Sequence, residues 1–215
     1  MAGQSVVEFF YSFASPSSYL ALVRLREAVL RTGAALMFRP IVTAWLPDDV
    51  VLSDPCLAAS SNPAVDAYLE KDLRDWSTFC GVQIDPQHCG PVDSAWAQRG
   101  AVAAIDAGVI ATYAESVFRA RFDEGRDISD RAVVVDIAMR CAMANDKFSS
   151  ALDSGHTESI VRRNMATLVQ RGGFGSPTMF LGEDMYFGHE RVPLLEMALM
   201  RSADRPFIAP GEHHR

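Results

Sequence analysis

The chain has 215 residues, 49% of them hydrophobic, and a formal net charge of −7. That hydrophobic share excludes a disordered chain, and the acidic balance argues against a general nucleic-acid binder, which is ordinarily basic. No apolar run reaches membrane-spanning length and MAGQSVVEFF lacks a signal peptide's regions, so no membrane partner and a cytoplasmic location are expected.

Val6 to Tyr11 is a short apolar and aromatic run with the composition of a buried strand. A helix is predicted from Ser17 to Arg31, with Leu22, Leu25 and Val29 on one face and Gly33 at its C-terminal cap. Between strand and helix, Ser15 is a good N-cap and Pro16 fits the first helical position, where a missing N–H costs nothing. Ser15 then lies at the positive end of the helix, a place that can hold an anion, including a thiolate. On these residues alone the plainer reading is an ordinary helix cap.

Leu36 to Pro40 is a second strand, close enough to the first helix for a parallel βαβ unit. Ile41 to Pro63 reads as a long loop, and from Ala64 the pattern turns helical, with Leu69, Leu73, Trp76 and Cys80 at helical spacing. Ser94 to Asp106 and Val109 to Phe122 are predicted helices. After the turn Glu124-Gly125-Arg126-Asp127, Ser129 or Asp130 caps a helix reaching about Ala144. Phe148 to Asp153 and His156 to Gln170 are helical, the latter ended by Gly172-Gly173. Thr178 to Leu181 and Met185 to Phe187 form a hairpin signal around Gly182-Glu183-Asp184, and Arg191 to Arg201 is a last helix.

The four cysteines, Cys56, Cys80, Cys89 and Cys141, form no CxxC and no metal-ligand spacing, so no metal site is expected. Cys80 and Cys141 fall on apolar helix faces as small core residues, and a Cys80–Cys89 disulfide is not expected in a reducing compartment. Strands at both ends of the chain, with helices between, describe an α/β sandwich with a mixed sheet.

Four stretches carry a family resemblance: FYSFASPSSYLA at Phe10–Ala21, YLEKDLRDW at Tyr68–Trp76, FDEGRDISD at Phe122–Asp130, and GGFGSPTMFLGEDMYFGHERVPLLEMAL at Gly172–Leu199. Together they resemble the 2-hydroxychromene-2-carboxylate isomerases and the kappa-class glutathione transferases, which have the DsbA-like thioredoxin fold. The fold implied is a thioredoxin-like mixed sheet with a large all-helical insertion. Residues 1–45 and 171–205 would form the thioredoxin-like domain, 46–170 the insertion and 206–215 a loose tail.

Redox members of that superfamily carry Cys-x-x-Cys where this chain has Ser15-Pro16-Ser17-Ser18, so dithiol exchange is unavailable. The resemblance implies glutathione as cofactor, with Ser15 the catalytic partner of its thiol. It implies a cis bond before Pro177, with the Ser176 backbone pairing with the glutathione peptide like an added strand. His189 and Glu190 correspond to a pair that takes the γ-glutamyl end; Glu190 as a plain helix cap is the alternative. Asn62 matches a pocket asparagine. Phe187 is a candidate wall for an aromatic carboxylate substrate and Arg39 for its carboxylate, since a lysine frequent in the family is replaced around Val65-Asp66.

The resemblance also implies a homodimer. The function it implies is a glutathione-dependent isomerase from aromatic-ring catabolism. The alternatives are a kappa-class-like transferase and a non-catalytic thioredoxin-fold binding protein.

Overall fold

In a computed structural model that describes residues 4–47 and 62–202, β1 (Val6–Tyr11) is the strand on which the molecule is built. Val7, Phe9, Phe10 and Tyr11 are all fully buried. Alternate side chains of a strand point to opposite faces, so burial on both faces requires cover on both. Phe9 and Tyr11 join one apolar cluster with Leu25, Phe118 and Leu195, while Phe10 joins another with Ile41, Val161, Leu168 and Phe180.

β1 leads through a tight corner into α1 (Pro16–Thr32), which ends at Gly33 in the left-handed region (φ 75°), its N–H bonded to the Val29 carbonyl at 2.8 Å. β2 (Ala35–Pro40) then pairs with β1 in parallel, Val6 opposite Ala35 and Tyr11 opposite Pro40. The last third of the chain supplies β3 (Thr178–Leu181) and β4 (Asp184–Phe187), and the sheet order is β2-β1-β3-β4. β3 runs antiparallel to β1, with Val7 opposite Leu181 and Phe10 opposite Thr178. Strands far apart in sequence are thus neighbours, and the mixed sheet of the DsbA-like thioredoxin fold is complete.

Between β2 and β3 lie α2 (Pro63–Cys80), α3 (Ala95–Asp106), α4 (Ile110–Phe122), α5 (Arg131–Arg140), α6 (Asn145–Asp153) and α7 (Gly155–Gln170). Several pack directly on the sheet: α7 contributes Val161 and Leu168 to the Phe10 face, and α4 contributes Phe118 to the Tyr11 face. α8 (Val192–Ser202) closes the chain against α1, inserting Leu195 and Leu199.

Local differences from the sequence expectation have plain causes. The helix expected to reach Ala144 stops at Arg140, because Ala142 turns into the left-handed region (φ 60°) without a glycine to announce it. Asp130 rather than Ser129 caps that helix, accepting from Ala132 N. Pro63, read as the end of a loop, is the first residue of α2. The middle of that loop and the tail assigned to 206–215 lie outside the described residues. No disulfide joins Cys80, Cys89 and Cys141 to one another. Among the described residues no helix is long and apolar enough to cross a membrane, and no cluster of His, Cys, Asp and Glu could hold a metal.

Candidate active site

The candidate site lies at the C-terminal end of β1, where α1 begins. Ser15 is the N-cap in extended conformation (φ −101°, ψ 115°), and its hydroxyl oxygen accepts from Ser18 N at 3.0 Å. Pro16 follows at the first helical position, and no acidic residue occupies the first turn. The helix's positive end is therefore not offset by a carboxylate of its own first turn.

The loop before β3 comes back to this corner. The Ser176–Pro177 peptide is cis. Ser15 Oγ donates to the Ser176 carbonyl at 3.5 Å, the long limit of a hydrogen bond. Ser176 Oγ accepts from Ser12 N at 2.8 Å and lies 2.7 Å from Ser18 Oγ. Ser12 Oγ accepts from Ala14 N at 3.2 Å and meets Ser94 Oγ, just before α3, at 3.4 Å. Thr178 Oγ1 donates to the Gly175 carbonyl at 2.7 Å and fixes the loop from its far side. Hydroxyls from three stretches of the chain (Ser12 to Ser18, Ser94, and Ser176 to Thr178) thus converge, all nearly buried. At 3% exposure, Ser15 meets little water, so water competes little for its hydroxyl, and a ligand atom entering beside it must shift the covering side chains.

The segment before α8 joins the same corner. Gly188 N donates to the Pro177 carbonyl at 3.0 Å, and Gly188 takes a positive φ of 89° where a Cβ would collide with the Glu190 carboxylate. His189 is buried edge-on against Trp76, ring centroids 4.8 Å apart, with its Nδ1 3.7 Å from Glu190 Oε2. Glu190 itself is exposed. The pair thus divides: the imidazole packs inward and the carboxylate faces outward.

Arg24 of α1 was not singled out by the sequence, yet it ties this segment down. Its Nη1 donates to the His189 carbonyl at 2.8 Å, and its guanidinium lies over Trp76 at 4.8 Å and Phe79 at 5.8 Å. Burial lowers its pKa, against the raising influence of Cys80 and Glu190. Tyr19, one turn into α1, is pushed up to about 12, by burial first and by the charges of Glu115 and Asp123 second. It stays neutral at physiological pH and adds no negative charge near the start of α1.

The other three candidates have local partners of their own. Asn62 is the exposed N-cap of α2, its side chain accepting from Ala64 N at 3.0 Å. Arg39 is engaged with Glu8, its two bonds at 2.9 and 2.7 Å. Phe187 sits opposite Thr178 and packs on Phe174, centroids 4.7 Å apart. Ser12, Ser18 and Ser94 went unnoticed as participants. The observed pairing of Phe10 with Thr178, extended by two residues, sets Ser12 opposite Ser176, a register the sequence alone does not give.

Residues 6–200 match the model of the DSBA-like thioredoxin domain. The chain belongs to that family. It is 26% identical over 202 residues to 2-hydroxychromene-2-carboxylate isomerase from Pseudomonas putida, covering 91% of this chain and 95% of that one. A crystallised 2-hydroxychromene-2-carboxylate isomerase superposes with a TM-score of 0.75 at 25% identity, over 91% of this chain and 95% of its own. A probable DsbA oxidoreductase from Streptomyces coelicolor superposes at 0.77 with 18% identity, over 96% of this chain and 93% of its own. Within this DSBA-like family, disulfide exchange needs thiols at the helix start, and this member offers the hydroxyls of Ser15 and Ser18.

Proposed function

We propose that the chain is a glutathione-dependent isomerase of an aromatic carboxylate, of the kind its relatives are named for. One observation carries the reading. A hydroxyl that cannot be oxidised to a disulfide stands at the positive end of α1, 3.5 Å from the Ser176 carbonyl of the loop before β3.

The residues fit a small thiol peptide. Ser15 is fixed through its acceptor side by Ser18 N, and the donor bond to the Ser176 carbonyl is long enough to give way to a sulfur anion. With no acid in the first turn of α1, a thiolate there gains from the helix end. Once the long bond from Ser15 gives way, the Ser176 carbonyl could pair with a peptide in the manner of an added strand, and exposed Glu190 offers an acceptor for an ammonium group. When bound, glutathione would supply a nucleophilic thiol that adds to the substrate and leaves again, with no net redox change. Ser15 would hold that sulfur in its charged form, and burial of the corner would keep water from competing for the hydroxyl.

Isomerisation of 2-hydroxychromene-2-carboxylate, followed by absorbance with and without glutathione, tests the reading. Turnover should require the added thiol and leave it unconsumed. Full activity without any thiol would contradict the proposal, and a stable thioether product would make the protein a transferase.

A further inference from the structure

The direction of the β1 main chain can be read from its partners. The carbonyls of Ser5 and Tyr11 accept from Ala35 and Ile41, so odd-numbered residues face β2 and even-numbered ones face β3. Ser12 therefore directs its N–H toward the β3 side, opposite Ser176 by register. A continued ladder would give that N–H to the Ser176 carbonyl. The N–H instead donates to Ser176 Oγ at 2.8 Å, and the carbonyl is turned to Ser15 Oγ. The serine side chain stands in for its own main chain, which leaves the carbonyl presented at the start of α1.

This substitution holds only while the Ser176 side chain keeps one rotamer, since a serine hydroxyl otherwise has three staggered positions. Ser18 Oγ, 2.7 Å away and fully buried, is the group that fixes it. Ser18 is itself fixed, because its N–H is bound by Ser15 in the first turn of α1. The three serines close a ring: Ser15 to Ser18 through the main-chain N–H, Ser18 to Ser176 through two hydroxyls, and Ser176 back to Ser15 through the carbonyl.

We infer that Ser18 is a positioning residue for the thiol-peptide site: its hydroxyl holds Ser176 Oγ under Ser12 N–H, and so holds the Ser176 carbonyl beside Ser15. The inference rests on the glutathione reading of the site. It assigns Ser18 no contact with the reacting sulfur, so its removal should act on affinity and leave thiol ionisation alone.

Calorimetric titration with glutathione tests it, using Ser18→Ala, Ser176→Ala and the double variant, each verified as folded by circular dichroism. The unmutated chain should bind saturably, and each single variant should bind about five- to tenfold more weakly, as for one lost buried hydrogen bond. The double variant should be within about twofold of either single one, because both remove the same clamp. The pH at which the bound thiol ionises, followed by its ultraviolet absorbance, should be unchanged by Ser18→Ala and raised by Ser15→Ala. Unaltered affinity in Ser18→Ala, fully additive losses, or a shifted thiol ionisation in Ser18→Ala would overturn the inference while leaving the glutathione reading in place. No saturable binding by the unmutated chain would overturn both. Should Ser18→Ala not fold, Ser176→Ala interrogates the same bond, and undiminished affinity there overturns the clamp.

Discussion

Both ends of β1 are tied to the C-terminal third of the chain by polar side chains, but with different chemistry. At the α1 end the ties are neutral hydroxyls, buried and short-armed, gathered on Ser176. Nearer the other end the ties are charged: Glu8 accepts from Arg39 at 2.7 Å and from Arg171 at 2.7 Å, with Arg171 lying 3.7 Å from the Phe180 ring centroid. The charged cluster is closed on itself and partly hydrated, so it holds the sheet together. The neutral cluster carries no charge of its own and turns a carbonyl and a hydroxyl toward one point. If the neutral corner receives a thiolate, as proposed, dipoles suit it better than fixed charges, which would have to be neutralised by partners already in place.

This contrast predicts where substitutions act. The largest effect is expected from Ser15→Ala, which should lower turnover by about 10²–10³ with the fold retained, as for removal of one preorganised donor. Steady-state kinetics beside a thermal melt checks it, and a loss of stability with turnover intact would reverse the assignment. Glu8→Gln should do the opposite. It leaves two guanidiniums facing each other without their shared carboxylate, and denaturant unfolding should show about 1–2 kcal/mol of lost stability. Turnover should stay within about twofold.

Acid should sharpen the same contrast. Burial works to raise the Glu8 pKa, but the hydrogen bonds and charges of Arg39 and Arg171 outweigh it and hold the carboxyl below its ordinary 4.5. A depressed carboxyl contributes stability that is present above the unfolded value and is lost as pH falls through the folded one. Unfolding free energy should therefore decline below about pH 4.5, and less steeply in Glu8→Gln. The smallest effect is expected from Arg24→Leu. This change removes the bond to the His189 carbonyl and the cation over Trp76, so glutathione affinity measured by calorimetry should fall about threefold.

Much of the architecture was legible because local chemistry agreed with it. VVEFFY has the composition of a buried strand and is one, the Ser15-Pro16 cap and Gly33 bound α1, and Thr178 to Phe187 formed the hairpin as read. The break after Arg140 was invisible because alanine rarely takes a positive φ. At the site, Ser15 and the cis bond before Pro177 could be placed on resemblance. The partners of Arg39 and the inward turn of His189 could not, since pairing between strands and packing on Trp76 are tertiary facts. The serine ring was half legible: its residues were in plain view, but their meeting depends on a register that joins positions 12 and 176.

The most direct measurement is a crystal structure of the protein with glutathione bound. The account predicts the sulfur within about 3.5 Å of Ser15 Oγ and the glutathione main chain paired with Ser176. Sulfur bound elsewhere, or a corner that stays closed at saturating glutathione, would contradict it.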